Sequence, residues 1–321
     1  MERDVRGIVE TNASSVALVT SHVRFRPDSQ TELTEPVKMS AVVVRADGYL
    51  VTVEGGVERA DPIFVEIPGR AKLTAKFVAA DPVSGLAVLK VEAEDLDAAE
   101  WDEEDSVPGS AAVLLGNAFG LQGSCGVGWI AGRGRSVRVE ERELRDMLQV
   151  SVPVAPGEAG GLVVGSSGRA IGLIHSVFSP EGDGLSGGWL EWLRAGMLGP
   201  AGAANSGATF AIPARIVRLV ADRLIRDGAV RRGWIGITAG PGSGEGCEVR
   251  KVQSNGPAEQ AGLRRGDVIV SYDGRRVEGV EDLSWSVMRE ESVRRVRVRY
   301  LREGREHEAE LEVQVRTSDG K

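Results

Sequence analysis

The sequence predicts a mostly β protein with two domains, and three observations support that prediction. The chain has 321 residues, the length of about two ordinary domains. Short apolar runs rich in Val recur roughly every ten residues along its first half, a spacing typical of barrels and sandwiches. Its 42 glycines follow no collagen-like period, so they indicate turns and close backbone contacts.

The first part of the chain consists of predicted strands joined by turns. Residues 37–53 hold two Val-rich runs around Ala46-Asp47-Gly48, which is typical of a hairpin turn. The other predicted strands are 14–20, 62–67, 73–79, 86–91, 111–116, 125–131, 147–154, 161–165 and 170–177. Hardly any helix is predicted among them, so this part is expected to form a barrel or a sandwich.

A helix over residues 213–227 separates the two parts. Pro213 suits its first turn, and Gly228 is a C-terminal stop signal. After it come predicted strands at 234–238, 247–252, 267–272, 293–301 and 306–315, with helices at 257–262 and 280–288. The predicted division is a first domain over 1–212, a linking helix over 213–230, a second domain over 231–317 and a tail over 318–321.

The composition excludes several classes of function. The only histidines are His22, His175 and His307, and the only cysteines are Cys125 and Cys247, so a zinc cluster or a disulfide framework is not expected. No metal and no cofactor are predicted, and both cysteines are interpreted as free, buried thiols. The net charge of −8, without a basic stripe, argues against nucleic-acid binding.

A membrane span is not expected either. Residues 107–132 carry no charge, but their glycines and the central Asn117 and Gln122 fit two buried strands better than a spanning helix. The first residues lack the apolar segment of a signal peptide, which predicts a cytoplasmic protein.

One run in the second domain is rich in turn and helix signals. In residues 255–267, Asn255 or Ser254 can cap a short helix, Pro257 suits its first turn and Gly262 ends it. This run resembles the signature of a PDZ domain, and the resemblance covers roughly 233–316. It implies a peptide-binding module in which a peptide C-terminus adds as a strand and backbone N–H groups hold its carboxylate.

The PDZ resemblance assigns candidate peptide-binding residues. The carboxylate loop corresponds to Trp234, Ile235, Gly236 and Ile237, where Gly236 lets the peptide backbone approach closely. Leu283 and Val287 lie one turn apart on the following helix and are candidates for the wall of a side-chain pocket. The alternative is that 234–237 is simply a core strand.

Five sequence blocks, in order, resemble the HtrA (Deg) family of trypsin-like serine proteases. They are DGYLVT (47–52), DPVSGLAVLK (81–90), GNAFGL (116–121), PGEAGG (156–161) and FAIP (210–213). The resemblance covers about 40–316. It implies a trypsin-like double β-barrel, a linking helix and a PDZ domain.

The resemblance also locates a catalytic triad, which needs a nucleophile, an imidazole base and an orienting carboxylate. The imidazole position corresponds to Gly55, the carboxylate position to Gly85 and the nucleophile position to Ala159. None of these side chains can perform its role. Only the oxyanion loop Gly157-Glu158-Ala159 is expected to persist as a vestige. His175 is interpreted as a packed or edge-strand histidine, with a place near the vacated site as the alternative.

The interpretation drawn from these residues is a catalytically inactive pseudoprotease that binds peptides or serves as a scaffold, and not an enzyme. One alternative is a serine endopeptidase with a non-standard catalytic set, using Ser151 or Ser176 near His175. A second alternative is a regulatory subunit of an active paralogue. The expected partners are C-terminal peptides or exposed protein segments, in a homo- or hetero-oligomer.

Two further segments attract attention. Residues 186–199 are predicted to form an amphipathic helix. A locally packed surface helix is the favoured interpretation, and the alternative hypothesis is that it plugs the former cleft or makes a subunit contact. The charged segment 133–146 stands at the place of a regulatory loop and is predicted to be a solvated hairpin or helix face.

Family members usually act outside the cytoplasm, so the resemblance implies a periplasmic or extracytoplasmic location instead. It also implies trimerisation through N-terminal segments, but Phe25 is the only aromatic residue nearby, so a trimer is not predicted for this chain.

Overall fold

The chain folds into two closed barrels followed by a third sheet. The structure is a computed structural model that describes residues 2–25, 33–104, 107–139, 142–177, 209–242, 244 and 246–317. The contacts divide the chain into two compact units, Met1–Ala229 and Val230–Lys321. The predicted helix over 186–199 lies outside the described residues.

The first barrel closes in the strand order β1-β2-β3-β6-β5-β4. Its inward-facing Val, Leu and Ala side chains are buried, as the Val-rich runs predict. The turn at 46–48 joins β2 and β3, and Gly48 has a φ of +97° there. The strands are β1 (Val16–Phe25), β2 (Leu33–Arg45), β3 (Tyr49–Val53), β4 (Ala60–Glu66), β5 (Leu73–Asp81) and β6 (Leu86–Val91).

The second barrel closes in the order β10-β11-β12-β9-β8-β7, so the predicted double barrel is confirmed. The charged segment 133–146 belongs to the hairpin of β8 and β9. The strands are β7 (Ala111–Gly116), β8 (Ser124–Val139), β9 (Arg142–Val150), β10 (Leu162–Gly165), β11 (Ala170–Val177) and β12 (Thr209–Pro213).

Two helices accompany the barrels. The helix α1 (Glu2–Asn12) was not predicted, because its charged sequence shows no broad apolar stripe. The Asn12 side chain donates to the carbonyl of Gly168 and so ties this helix to the second barrel. The helix α2 (Ala214–Asp227) agrees with the prediction, and Gly228 ends it with a φ of +70° while its N–H donates to Leu224.

The second unit is a sheet in the order β13-β19-β18-β16-β15-β14, with β17 paired to β16. Its strands are β13 (Arg231–Trp234), β14 (Ile237–Pro241), β15 (Cys247–Val252), β16 (Val268–Tyr272), β17 (Arg275–Arg276), β18 (Arg294–Arg302) and β19 (Arg305–Thr317), and its helices are α3 (Pro257–Gln260) and α4 (Val280–Met288). The single strand predicted over 234–238 is wrong. Gly236 has a φ of +77°, which interrupts the strand and forms a loop at Ile235-Gly236.

The two cysteines differ in exposure. Cys247 is buried as predicted, but the prediction for Cys125 is wrong, because it is exposed. Strand β8 places Cys125, Val127 and Trp129 on one exposed face, so the apolar run there does not mark a buried strand. Within the part of the chain that the structure describes, every helix is too short or too polar to cross a bilayer.

Candidate functional site

The three positions predicted for the triad come together between the two barrels. Gly55 lies in a 3₁₀ turn over Glu54–Gly56, and the N–H of Glu54 donates to the carbonyl of Gly85 at 2.9 Å. On the second barrel, the N–H of Gly160, which follows Ala159, donates to Ile174 at 2.8 Å. His175 comes directly after Ile174, and its ring lies next to Gly85.

The imidazole of His175 fills the space beside Gly85. A Cβ built on Gly85 would overlap the Nε2 atom of His175, and Gly85 has a φ of +75°. The structure thus places the His175 ring beside the position predicted from the sequence for the orienting carboxylate. Burial, followed by the charge of Arg142, lowers the pKa of His175 to about 4. The ring is therefore neutral at pH 7, and its Nδ1 atom is buried without a hydrogen-bond partner among the described residues.

An ion pair that was not predicted joins the barrels next to this imidazole. Arg142, at the start of β9, donates to the Oε1 atom of Glu54 and, at 3.3 Å, to the carbonyl of Pro82. The Glu54 side chain is 6% exposed, while that of Arg142 is 47% exposed. Burial raises the pKa of Glu54, although Arg142 opposes this shift. The Oε2 atom of Glu54 is buried and has no partner within the described residues.

Hydrogen bonds from Ser40 hold the carbonyl groups of the predicted oxyanion loop. Ser40 donates from its N–H to the carbonyl of Ala159 at 2.8 Å and from its Oγ to that of Gly157 at 2.9 Å. Gly157 has a φ of +99°, a conformation that favours glycine. In the described part of the chain, the N–H groups of Gly157 and Ala159 have no hydrogen-bond acceptor. They remain available to a developing oxyanion.

The loop also carries a buried carboxylate. Glu158 is 5% exposed, and its Oε2 accepts the N–H of Ala155 at 2.6 Å. Burial raises the pKa of Glu158, and the hydrogen bond from Ala155 partly offsets the shift. This carboxylate therefore stabilises the turn that precedes Ala159.

Hydroxyl groups near the site have other partners. Ser84, next to Gly85, donates from its Oγ to the buried carboxylate of Asp81. Ser151 is exposed and exchanges hydrogen bonds with the backbone of Trp129, so the structure does not bring it to His175. The side chain of Ser176 lies outside the described residues. Among the residues described, no group of three His, Cys, Asp or Glu side chains is arranged to hold a metal ion.

A second candidate site lies in the last sheet. Strand β14 is at the edge of the described sheet and pairs with β15 on its inner side, so its outer side is open. The preceding loop is fixed by its carbonyls, because Ile235 accepts from Ala258 at 2.9 Å and Gly236 accepts from Gln253 at 2.8 Å. Within the described chain the N–H groups of Ile235 and Gly236 have no acceptor.

The side chains around this loop pack against neighbouring residues. The guanidinium of Arg316 stacks on Trp234 at 3.3 Å, and Ile237 packs against the core of the sheet. Helix α4 packs against β14 and contributes Leu283 and Val287, which are 3% and 9% exposed. The structure thus brings the predicted peptide-binding residues to one edge of the sheet.

Comparisons with known proteins match the regions of the chain that contain these two sites. Residues 39–173 match the trypsin-like peptidase domain and residues 233–313 match the PDZ domain. The solved structure of an HtrA-type protease, AlgW, with a tripeptide is 26% identical in sequence, and the match covers 97% of each chain with a TM-score of 0.73. This is the domain architecture of the HtrA/DegP family. A second solved structure, a serine endoprotease from Yersinia pestis, has a TM-score of 0.61 at 25% identity over 97% of this chain and 98% of that one.

Curated relatives extend the match along most of this chain. A probable periplasmic serine endoprotease, DegP-like, from Chlamydia trachomatis is 33% identical over 92% of the chain. A protein of the same name from Marinomonas is 27% identical over 88%. The chain spans 58% of the length of each. Both names include the periplasm, so they give the cytoplasmic expectation no support.

The comparisons correct one inference. The conclusion from Gly55, Gly85 and Ala159 that the chain is not an enzyme is wrong, because the relatives matched along most of its length are named serine endoproteases. That inference failed because it extended the loss of functional groups at three predicted positions to the whole chain. Those three positions say nothing about functional groups elsewhere. Glu54 and Arg142 are such groups, and they are 88 residues apart, so no local motif announces their pairing.

Proposed function

We propose that this HtrA-type chain recognises peptide segments through its PDZ domain. The observation that supports the proposal is the open edge of β14 beside two loop N–H groups, those of Ile235 and Gly236, that have no acceptor in the described residues. An extended peptide completes the hydrogen bonds of such an edge, and a terminal carboxylate is a suitable acceptor for such N–H groups.

The adjacent helix suits an apolar peptide side chain. Leu283 and Val287 lie on the face of α4 that joins the core behind β14. A peptide strand on β14 directs alternate side chains towards this helix. The preferred ligand is therefore a segment with a free C-terminus and an apolar last residue.

A matched pair of peptides tests this function. The full chain is titrated with a fluorescein-labelled peptide ending in a free Val carboxylate and with the same peptide ending in an amide. We expect saturable fluorescence polarisation for the acid and at least about tenfold weaker binding of the amide, because the loop donors lose a charged acceptor. Equal affinity of the two peptides, or no binding of either, would refute the proposal.

A second candidate function is endopeptidase activity with a non-standard catalytic set. It is supported by the neutral His175 imidazole beside Gly85, with an unused buried Nδ1 atom, and by the N–H groups of Gly157 and Ala159. Ser84 is the nearest hydroxyl along the chain to Gly85 and is already paired with Asp81. In this set the Ser84 hydroxyl leaves Asp81 and donates its proton to His175, the base, as its oxygen attacks the peptide carbonyl, and the loop N–H groups are the oxyanion donors.

Casein cleavage separates this candidate from peptide recognition alone. The purified chain and its variants Ser84→Ala and His175→Gln are incubated with casein and with a fluorophosphonate probe. The non-standard set predicts cleavage and labelling by the unaltered chain and a loss of at least about 100-fold in each variant. Cleavage that both variants retain would reject the assignment, as would an unaltered chain without cleavage.

The relatives' names suggest a compartment. We propose that the chain acts in the periplasm, as the names of its DegP-like relatives state for them. Fractionation of the native cell, followed by immunoblotting against cytoplasmic and periplasmic markers, tests this directly.

Co-purification with a second HtrA-type protein would identify a hetero-oligomer, which remains a prediction.

A further inference from the structure

The second unit contains a basic cavity that neither candidate site uses. The cavity has a volume of about 670 Å³ and lies between the end of β15 and the segment after α3. Four cationic side chains line it, with the single carboxylate of Glu259 and the apolar Val252 and Leu263. The cationic residues are Arg250, Lys251, Arg264 and Arg265.

Most of this positive charge is not neutralised by the protein. Within the described residues, Lys251, Arg264 and Arg265 form no ion pair, and all three are exposed. The carboxylate of Glu259 is engaged elsewhere, since its Oε2 accepts the N–H of Asn255 at 2.7 Å. This concentration of positive charge is unusual in a chain with a net charge of −8.

One of the cations is held in place. Arg250 pairs with Glu248 at 3.1 Å through Nη1 and donates to the carbonyl of Pro241 at 3.1 Å through Nη2. A guanidinium fixed in this way loses little conformational entropy when it binds an anion. None of the cavity's residues belongs to the carboxylate loop or to α4, so an occupant here leaves the peptide edge free.

We propose that this cavity binds a small anion that carries two or more phosphate groups. Arginine forks match phosphate oxygens and bind them through paired hydrogen bonds. A single carboxylate would leave most of the cavity's charge unpaired, whereas a di- or triphosphate group neutralises it. The volume lies within the range of about 300–1,000 Å³ usual for small-ligand sites. This proposal is independent of the peptide-binding function.

Titration with inorganic tripolyphosphate tests the proposal on the full chain. Calorimetry at about 50 mM salt is expected to show one saturable site, because screening is weak there. The variant Arg264→Gln/Arg265→Gln is expected to bind at least about tenfold more weakly. The control Arg275→Gln/Arg297→Gln removes the same charge from exposed positions of the same sheet and is expected to change the affinity less than about twofold.

Several outcomes would overturn the site. Equal losses in the two variants would indicate general charge attraction, and equal affinity for sulfate would indicate no phosphate recognition. A competition experiment distinguishes the sources of the ligand: phosphatidylglycerol vesicles should not displace tripolyphosphate. Binding of the vesicles alone, lost in Arg264→Gln/Arg265→Gln, would replace the proposed small ligand by a lipid surface. Circular dichroism confirms that each variant remains folded.

Discussion

The His175 imidazole can occupy its position only because Gly85 has no side chain. A Cβ at position 85 would enter the ring, and the φ of +75° already disfavours any other residue there. The sequence supports an approach of His175 to this position only as the less favoured alternative, because β11 of a trypsin-like barrel passes it. It could not indicate that the ring would occupy the gap, since that depends on side-chain packing across two barrels.

Replacing Gly85 by Ala tests this packing. Gly85→Ala is expected to lower the free energy of unfolding by about 1 kcal/mol for backbone strain and by roughly 2 kcal/mol more for overlap with His175. Gly69→Ala is the matched control, because Gly69 has a φ of +74° with open space around it. Urea unfolding measures both variants. Equal losses would contradict the close approach of His175.

The lowered pKa of His175 predicts a pH dependence of stability. Its pKa is about 4 in the folded chain against an ordinary 6.5, so between these values the unfolded chain binds a proton that the folded chain does not. Stability should therefore fall as the pH drops from about 6.5 to 4, by up to about 3 kcal/mol, and this term vanishes above 6.5. Glu54 and Glu158, whose pKa values are raised, act in the opposite direction in acid.

The variant His175→Gln isolates this contribution. Thermal unfolding of the chain and of the variant between pH 4 and 8 is compared, with ΔG evaluated at one temperature. The difference between the two curves is expected to change in the interval between about 4 and 6.5 and to be constant above it. Parallel curves throughout would show that His175 is not protected from protonation.

At the scale of elements, the break between β13 and β14 decides what the sheet edge can bind. Gly236 has a φ of +77°, and a Cβ there would lie 3.3 Å from Gly256 and from the Trp234 ring. Gly236→Ala is expected to weaken binding of the free-acid peptide at least about tenfold, since the loop must shift. Fluorescence polarisation measures this loss.

The matched control for that variant is Gly274→Ala. Gly274 has a φ of +78° in a turn with nothing within 4 Å, so its substitution adds similar backbone strain without touching the loop. It should lower stability by about 1 kcal/mol and leave peptide affinity unchanged. Equal effects on affinity would mean that strain anywhere in the sheet, rather than the loop, controls binding.

Elements differ in how far the sequence predicts them. The Val-rich runs and the Gly228 stop locate the barrel strands and α2, since their period and caps are local signals. The exposed face of β8 was misjudged at Cys125, because a run of small and apolar residues gives no indication of which side meets water. The pairing of Glu54 with Arg142 was missed because it joins a 3₁₀ turn to the start of a strand far away in the sequence.

At the scale of the whole molecule, the two compact units have separate cores. The second unit buries a continuous cluster that includes Val249, Tyr272 and Val298, and all its described strands pair within it. Fragments 1–229 and 230–321 are therefore each expected to fold alone. Circular dichroism and thermal unfolding of each fragment test this, with the full chain showing both transitions. A fragment 230–321 without a cooperative transition would contradict the prediction.

Within the first unit, the bridges between the barrels have a consequence for cooperativity. Arg142 reaches Glu54, Ser40 holds the loop at Ala159, and Asn117 donates to Ala17 at 2.9 Å, so each barrel supplies partners for buried groups of the other. Separating the barrels would leave these groups unsatisfied. Local opening of one barrel is thus costly, and the amide protons of both should exchange with solvent as a single foldon.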